Sequence, residues 1–192
     1  GFLLTNSTYA APIKILTITQ DFASIAKSVG GDLVEVETLI KGSRNLHHIN
    51  PKPSMVMKAR RADIIIRLGM DQDGWIDGLI EAARNKRLFK GQTGYIDCSE
   101  PIKKLEIPTG KIDGSQGDIH KSGNPHYWLN PANGKVIARQ IRDRLIQLDP
   151  SNKATYSANY SSFSRDLDKR ISIWKKALKS LKKDKFVSYH KV

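Results

Sequence analysis

Three histidines carry the chemistry that this sequence offers. His47 lies in Asn-Leu-His-His-Ile-Asn-Pro-Lys-Pro-Ser (45–54), His126 in Gly-Asn-Pro-His-Tyr-Trp-Leu-Asn-Pro (123–131), and His190 closes Phe-Val-Ser-Tyr-His (186–190). Each falls at a junction between regular elements. Neutral imidazole is the commonest protein ligand for a transition metal. Three imidazoles from separate segments supply most of a tetrahedral zinc shell. The chemistry implied is capture of a metal ion. The sequence has no nucleophile elbow, no glycine-rich phosphate loop and no zinc-protease histidine pair. Its carboxylates are scattered, so an enzyme reading has little to stand on.

The three positions differ in how much they say alone. His47 follows an expected strand by a short polar turn, Lys41-Gly42-Ser43-Arg44. Ligand sites in open α/β sheets lie beyond the carboxyl ends of strands. Pro51 and Pro53 stiffen the chain that follows. His48 is the alternative donor there, or a solvated neighbour. His126 has Pro125 before it and Trp128 after it, which would fix the ring and shield it; taken alone it would equally suit a packed core histidine. His190 ends a strand. His120 lies in a polar loop, where exposure needs no function and transient metal contact is the second reading.

The elements that must position these residues alternate. Residues 13–19, 33–40, 63–68 and 93–97 read as strands, rich in β-branched residues or in apolar alternation. Helices are expected over 21–29, ended by Gly30-Gly31, and over about 54–61 and 75–84. Alternating strand and helix predicts βα crossovers and a parallel sheet. Residues 99–124, with two prolines and four glycines, read as a long surface loop. Asn130 and Pro131 then open a helix as N-cap and first residue. Its apolar face is Ile137, Ile141, Leu145 and Leu148. Asp149-Pro150 is expected to open a second helix with the same cap chemistry. Tyr156, Tyr160, Phe163, Leu167, Ile171, Trp174, Leu178 and Leu181 recur at spacings of 3 and 4, which predicts one buried stripe on one long helix. About 30 residues would span about 45 Å, enough for a spine between two lobes. The strand at 186–190 would open the second lobe.

Charge and termini complete the reading. The net charge is +13, and residues 135–192 hold 15 Lys/Arg against 5 Asp/Glu. A basic stretch invites a nucleic-acid reading, but these charges alternate with apolar residues at helical spacing, as on a solvated helix face. Residues 1–11 resemble a signal-peptide remnant or a mobile N-terminus. The one cysteine, Cys98, reads as a small buried residue at a strand end. An extracytoplasmic or periplasmic location without lipid attachment through an N-terminal cysteine is therefore expected.

Five ordered motifs together resemble the zinc and manganese solute-binding proteins of bacterial ABC transporters. Asn45–Ser54 resembles the first ligand motif. Ala62–Gly69 followed by Trp75-Ile76 is similar to the next strand and helix. Asn124–Pro131 resembles the second ligand motif. Asp149–Asn152 with Tyr156 and Asn159 is similar to the start of the linker helix. Val187–His190 resembles the third ligand motif. The resemblance implies a parallel-sheet α/β N-lobe (12–149), a linker spine helix (150–183) and the first strand of a second α/β lobe (184–192). It implies metal held by His47, His126 and His190 in the interlobe cleft, delivery to a membrane permease, and no catalysis. A histidine at the third ligand position resembles the zinc type, and imidazole suits zinc better than manganese. The family's Asp-Pro-His is Asn124-Pro125-His126 here, which removes a carboxylate from beside the ring. The family's fourth ligand, an aspartate, would belong to the rest of the second lobe. The competing readings are a basic nucleic-acid or anionic-surface binder and a metal-dependent hydrolase.

Overall fold

The computed structural model describes residues 11–42, 46, 49–109 and 120–185. Four strands form one parallel sheet in the order β2-β1-β3-β4: β1 (Ile13–Thr17), β2 (Val34–Thr38), β3 (Ile64–Arg67) and β4 (Tyr95–Asp97). Ile15 of β1 stands between Val36 and Ile64, so β1 and β3 form the middle of the sheet. β3 is buried along its whole length, as an uninterrupted isoleucine run in a parallel sheet should be. Edge strand β2 instead buries Val34 and exposes Glu35 and Glu37. All four strands fall inside the expected windows, and the α/β parallel-sheet class holds.

Helix α1 (Gln20–Gly30) crosses from β1 to β2, α2 (Pro53–Arg61) from β2 to β3, and α3 (Trp75–Ala83) from β3 to β4. The path reverses direction after β2, and right-handed crossovers then place α1 on one face and α2 and α3 on the other. Helices α4 (Pro131–Leu148) and α5 (Lys153–Ala177) pack with α1. Phe22, Ala26 and Val29 of α1 meet Ile137, Ile141 and Leu145 of α4 and Tyr156 of α5 in the core. On the far face Ile76, Leu79, Ile80 and Ala83 of α3 are buried, which is the helical period turned into a layer. Leu148, at the end of the α4 stripe, is exposed.

Two expectations about the helical end of the chain are corrected. Asn130 does cap α4, its side-chain oxygen accepting from the amide of Ala132 at 3.0 Å. Asp149 does not cap α5, whose N-cap position is Asn152. Pro150–Asn152 form a 3₁₀ turn before α5, and Asp149 ties side chains together, accepting from Ser151 Oγ, Asn152 Nδ2 and Tyr156 Oη at 2.5–2.8 Å. The apolar stripe of α5 is also not buried throughout. Tyr156 is buried and Tyr160 and Phe163 pack on the core, but Trp174 and Leu178 are exposed. The helix outruns the lobe that covers it and ends at Ala177, and Lys179–Lys183 continue as a 3₁₀ turn. Among the described residues no helix is long and apolar enough to cross a membrane.

Candidate metal centre

His126 stands just ahead of a 3₁₀ turn, Tyr127–Leu129, that leads into α4. Asn124 shapes its approach. One carboxamide oxygen accepts both the backbone N–H of His126, at 3.0 Å, and the ring Nδ1, at 3.1 Å. An Asx turn of this kind is what an asparagine two residues ahead of a donor favours. A carbonyl oxygen can only accept, so Nδ1 is the donor of this bond, and a neutral ring held in this way has its lone pair on Nε2, the form in which imidazole ligates a metal. Asn124 stands where the resemblance leads one to expect an aspartate, and it makes a hydrogen bond to the ring all the same. The ring is half-buried, and Trp128 lies beside it with centroids 5.6 Å apart. Pro125 is buried, so the expected rigid and shielded setting is present.

The turn is fastened to the carboxyl end of β3. Tyr127 donates to the carbonyl of Leu68 at 2.7 Å, and Ser122 donates to Asp71 Oδ2 at 2.7 Å. Between these contacts Gly69, Met70 and Asp71 all have positive φ, at 75°, 51° and 61°. Two successive non-glycine residues in the left-handed region are rare and must be held by their surroundings. Asp73 does part of this, accepting from the amides of Leu68 and Gly69 at 2.7 and 3.2 Å. It is fully buried and also bridges Arg67, whose Nη2 lies 2.8 Å away. Burial pushes the Asp73 carboxyl up, while Arg67 and the Leu68 amide pull it back. Burial works against the Arg67 cation, but Asp73, with Tyr95 and Asp77, more than offsets it. Sequence reasoning missed this cluster, because an arginine ending an isoleucine strand does not announce which carboxylate it will meet.

A cleft of about 460 Å³ opens beside the cluster, lined by Arg67, Gly69, Asp77, Glu81, Tyr95 and Asp97 among others. It does not include His126. Arg67 already serves Asp73, Asp77 and Tyr95, so the cluster reads as a brace for the end of β3.

Two of the three expected ligands, His47 and His190, lie outside the described residues, as does the alternative His48. On either side of that pair, Leu46 and Ile49 pack on the core, and the Leu46 carbonyl accepts from Trp75 Nε1 at 3.1 Å. His120 is half-buried, with its Nε2 shielded from solvent, which corrects the expectation of an exposed loop histidine. Cys98 is buried at the end of β4, as expected, and burial holds its thiol well above the usual range. Some basic residues of the last helices are engaged within the fold: Lys135 pairs with Asp168 at 2.6 Å, and Arg142 lies over the Tyr160 ring.

The sequence matches the family described as zinc-uptake complex component A, periplasmic, over residues 15–192. The chain belongs to that family. It is similar to the metal ABC transporter substrate-binding lipoprotein SloC of Streptococcus mutans serotype c (strain ATCC 700610 / UA159), 26% identical over 96% of this chain and 59% of that protein. It is also similar to the manganese ABC transporter substrate-binding lipoprotein PsaA of Streptococcus anginosus, 27% identical over 85% of this chain and 51% of that protein. The crystal structure of a zinc-bound ZnuA lacking residues 138–173 superposes with a TM-score of 0.78, at 27% identity over 93% of this chain and 63% of that one. This chain thus spans about half to three-fifths of the length of these relatives. Both curated relatives are named lipoproteins, which corrects the expectation that no lipid is attached through an N-terminal cysteine. That expectation leaned on Cys98, a core residue whose burial has no bearing on an anchor.

Proposed function

We propose that this chain is the metal-capturing part of a solute-binding receptor that takes up zinc, with manganese as the alternative cargo, and delivers it to an ABC permease without catalysis. The observation that supports the reading is the hydrogen bond from His126 Nδ1 to Asn124, in a turn fastened to the carboxyl edge of the sheet, which in a neutral ring leaves Nε2 as the ligating atom. His47 and His190 are proposed as the companion ligands. The proposed division is residues 1–11 as leader remnant or N-terminal extension, 12–149 as N-lobe, 150–183 as spine and 184–192 as the start of a second lobe. The exposed apolar end of α5, with Ile173, Trp174 and Leu178 uncovered, suits a helix on which a second lobe rests. Zinc is favoured over manganese because imidazole nitrogen suits zinc, whereas manganese prefers more oxygen.

The test is calorimetric titration of the metal-free chain with Zn2+ and, separately, Mn2+, beside the variants His126→Ala, His47→Ala and His190→Ala. One-to-one zinc binding that each variant weakens at least tenfold is expected. Tight binding that survives all three substitutions would reject the assignment, and a preference for manganese would reverse the choice of cargo.

A further inference from the structure

A carboxylate, Glu106, lies one contact beyond the side chain that hydrogen-bonds His126. Asn124 turns its carboxamide oxygen to His126 and its Nδ2 to Glu106, donating to Oε2 at 3.0 Å. A carboxylate accepts and does not donate, so Glu106 can be served only by the amide nitrogen. The orientation that satisfies Glu106 is therefore the one that aims the oxygen at the imidazole. Rotating the amide by half a turn would set oxygen against carboxylate and N–H against N–H. Charge on Glu106 also polarises the amide, which makes its oxygen a better acceptor for Nδ1–H.

The backbone around this contact is arranged for it. Glu106 has φ +55°, a region that non-glycine residues enter at a cost and keep only when neighbours hold them. The neighbours are the two segments themselves. The Asn124 amide donates to the Leu105 carbonyl at 2.8 Å. Gly123, at φ +98°, lies so close to that carbonyl that a Cβ would overlap it. Segment 105–106 is thereby docked on segment 123–124, and its carboxylate meets the side chain that hydrogen-bonds the His126 ring.

We propose that Glu106 is a positioning residue for the His126 imidazole, acting through Asn124. This rests on the reading of His126 as a metal ligand. Glu106 fixes the Asn124 amide, the amide fixes the Nδ1–H tautomer, and the tautomer presents Nε2 to the ion. Outer partners of ligating histidines work in this way, and removing a direct partner typically lowers metal affinity about 10–100-fold. Glu106 is one step removed and solvent-exposed, so the expected loss is about three- to tenfold.

The decisive measurement is the tautomer of His126 in the metal-free chain, read from long-range 1H–15N NMR correlations at pH 8. The parent chain should show the Nδ1-protonated pattern. Glu106→Ala should add the Nε2-protonated form, and its Zn2+ dissociation constant should rise three- to tenfold. Asn124→Asp supplies a second arm. An aspartate at 124 accepts from Nδ1 without help, and Glu106 would then repel it. Glu106→Ala in that background should leave zinc affinity unchanged or tighter. An unaltered tautomer in Glu106→Ala, or equal losses in both backgrounds, would overturn the proposal. A chain that fails to bind zinc while Glu106→Ala still shifts the tautomer would sink the metal-ligand reading and leave the positioning role standing.

Discussion

Tyr127 donates a 2.7 Å hydrogen bond to the carbonyl of Leu68, 59 residues earlier in the chain. Leu68 follows β3 directly and Tyr127 follows His126 directly, so this bond ties the histidine's turn to the sheet edge. Burial raises the Tyr127 phenol well above its ordinary range, which keeps it a donor. Tyr127→Phe would leave the Leu68 carbonyl buried without this donor. The expected loss is about 1–3 kcal/mol in urea unfolding, with weaker zinc binding because the His126 turn loses its anchor. Unchanged unfolding and unchanged binding together would show that the turn is held by other contacts.

The Arg67–Asp73 pair makes a sharper claim about stability. Both groups are buried, and Asp73 receives Arg67 and two backbone amides. Removing Asp73 takes the buried counter-ion from Arg67 and leaves it the exposed Asp77 and the Tyr95 hydroxyl. Asp73→Ala is expected to cost about 3–5 kcal/mol, the range for breaking a buried pair on one side. Asp73→Asn, which keeps one acceptor oxygen, should cost less. Equal losses for the two variants in equilibrium unfolding would mean that shape rather than hydrogen bonding is what Asp73 supplies.

Asp149 gives the pH dependence. Its modest burial works against ionisation, but hydrogen bonds from Ser151, Asn152 and Tyr156 outweigh it and hold the carboxyl below its usual range. A carboxyl depressed in the folded state stabilises above its unfolded pKa, about 4, and that stabilisation is lost as pH falls through the folded value. The stability gap between the parent chain and Asp149→Asn should thus be constant from about pH 7 down to about pH 5 and close below about pH 4. A gap that is widest in acid would contradict the assignment. Above about pH 5, Asp149→Ala is expected to cost about 1–2 kcal/mol, comparable to losing a helix cap.

Much of this fold was legible because its elements advertise themselves locally. The isoleucine run 64–66 could only be a buried strand, and Asn130-Pro131 opens a helix by chemistry confined to two residues. The long stripe from Tyr156 to Leu181 was legible as helix but misleading as burial, since periodicity cannot say where the covering lobe ends. At the site, the buried Pro125 and the neighbouring Trp128 were legible as the setting of His126. Asn124 was read as a lost carboxylate, although an asparagine two residues ahead of a backbone donor is an Asx-turn signal. Glu106 was not legible at all, because its contact spans 18 residues and depends on a left-handed backbone that no glycine marks.

Gly69 shows how tightly the end of β3 is built. It has φ +75°, and a Cβ there would overlap Asp97 Oδ1 and Ser99 Oγ. Those two atoms are already bonded to each other at 2.6 Å, and Asp97 Oδ1 also accepts the Ser99 amide at 2.9 Å. Gly91 has a similar φ, +84°, with nothing within 4 Å of where its Cβ would lie. Gly91→Ala should therefore cost only the left-handed penalty of about 1–2 kcal/mol. Gly69→Ala carries the same penalty and must also push Asp97 and Ser99 apart, for an expected total of about 2–4 kcal/mol. Urea unfolding of both variants isolates the contact, because the conformational term is common to the two. A larger loss for Gly69→Ala, accompanied by weaker zinc binding, would tie the close packing of Gly69 against β4 to the placement of Tyr127 and His126. Equal losses would mean that the Asp97–Ser99 turn yields to a methyl group and that the β3 end is held by its other contacts, Asp73 and Tyr127 among them.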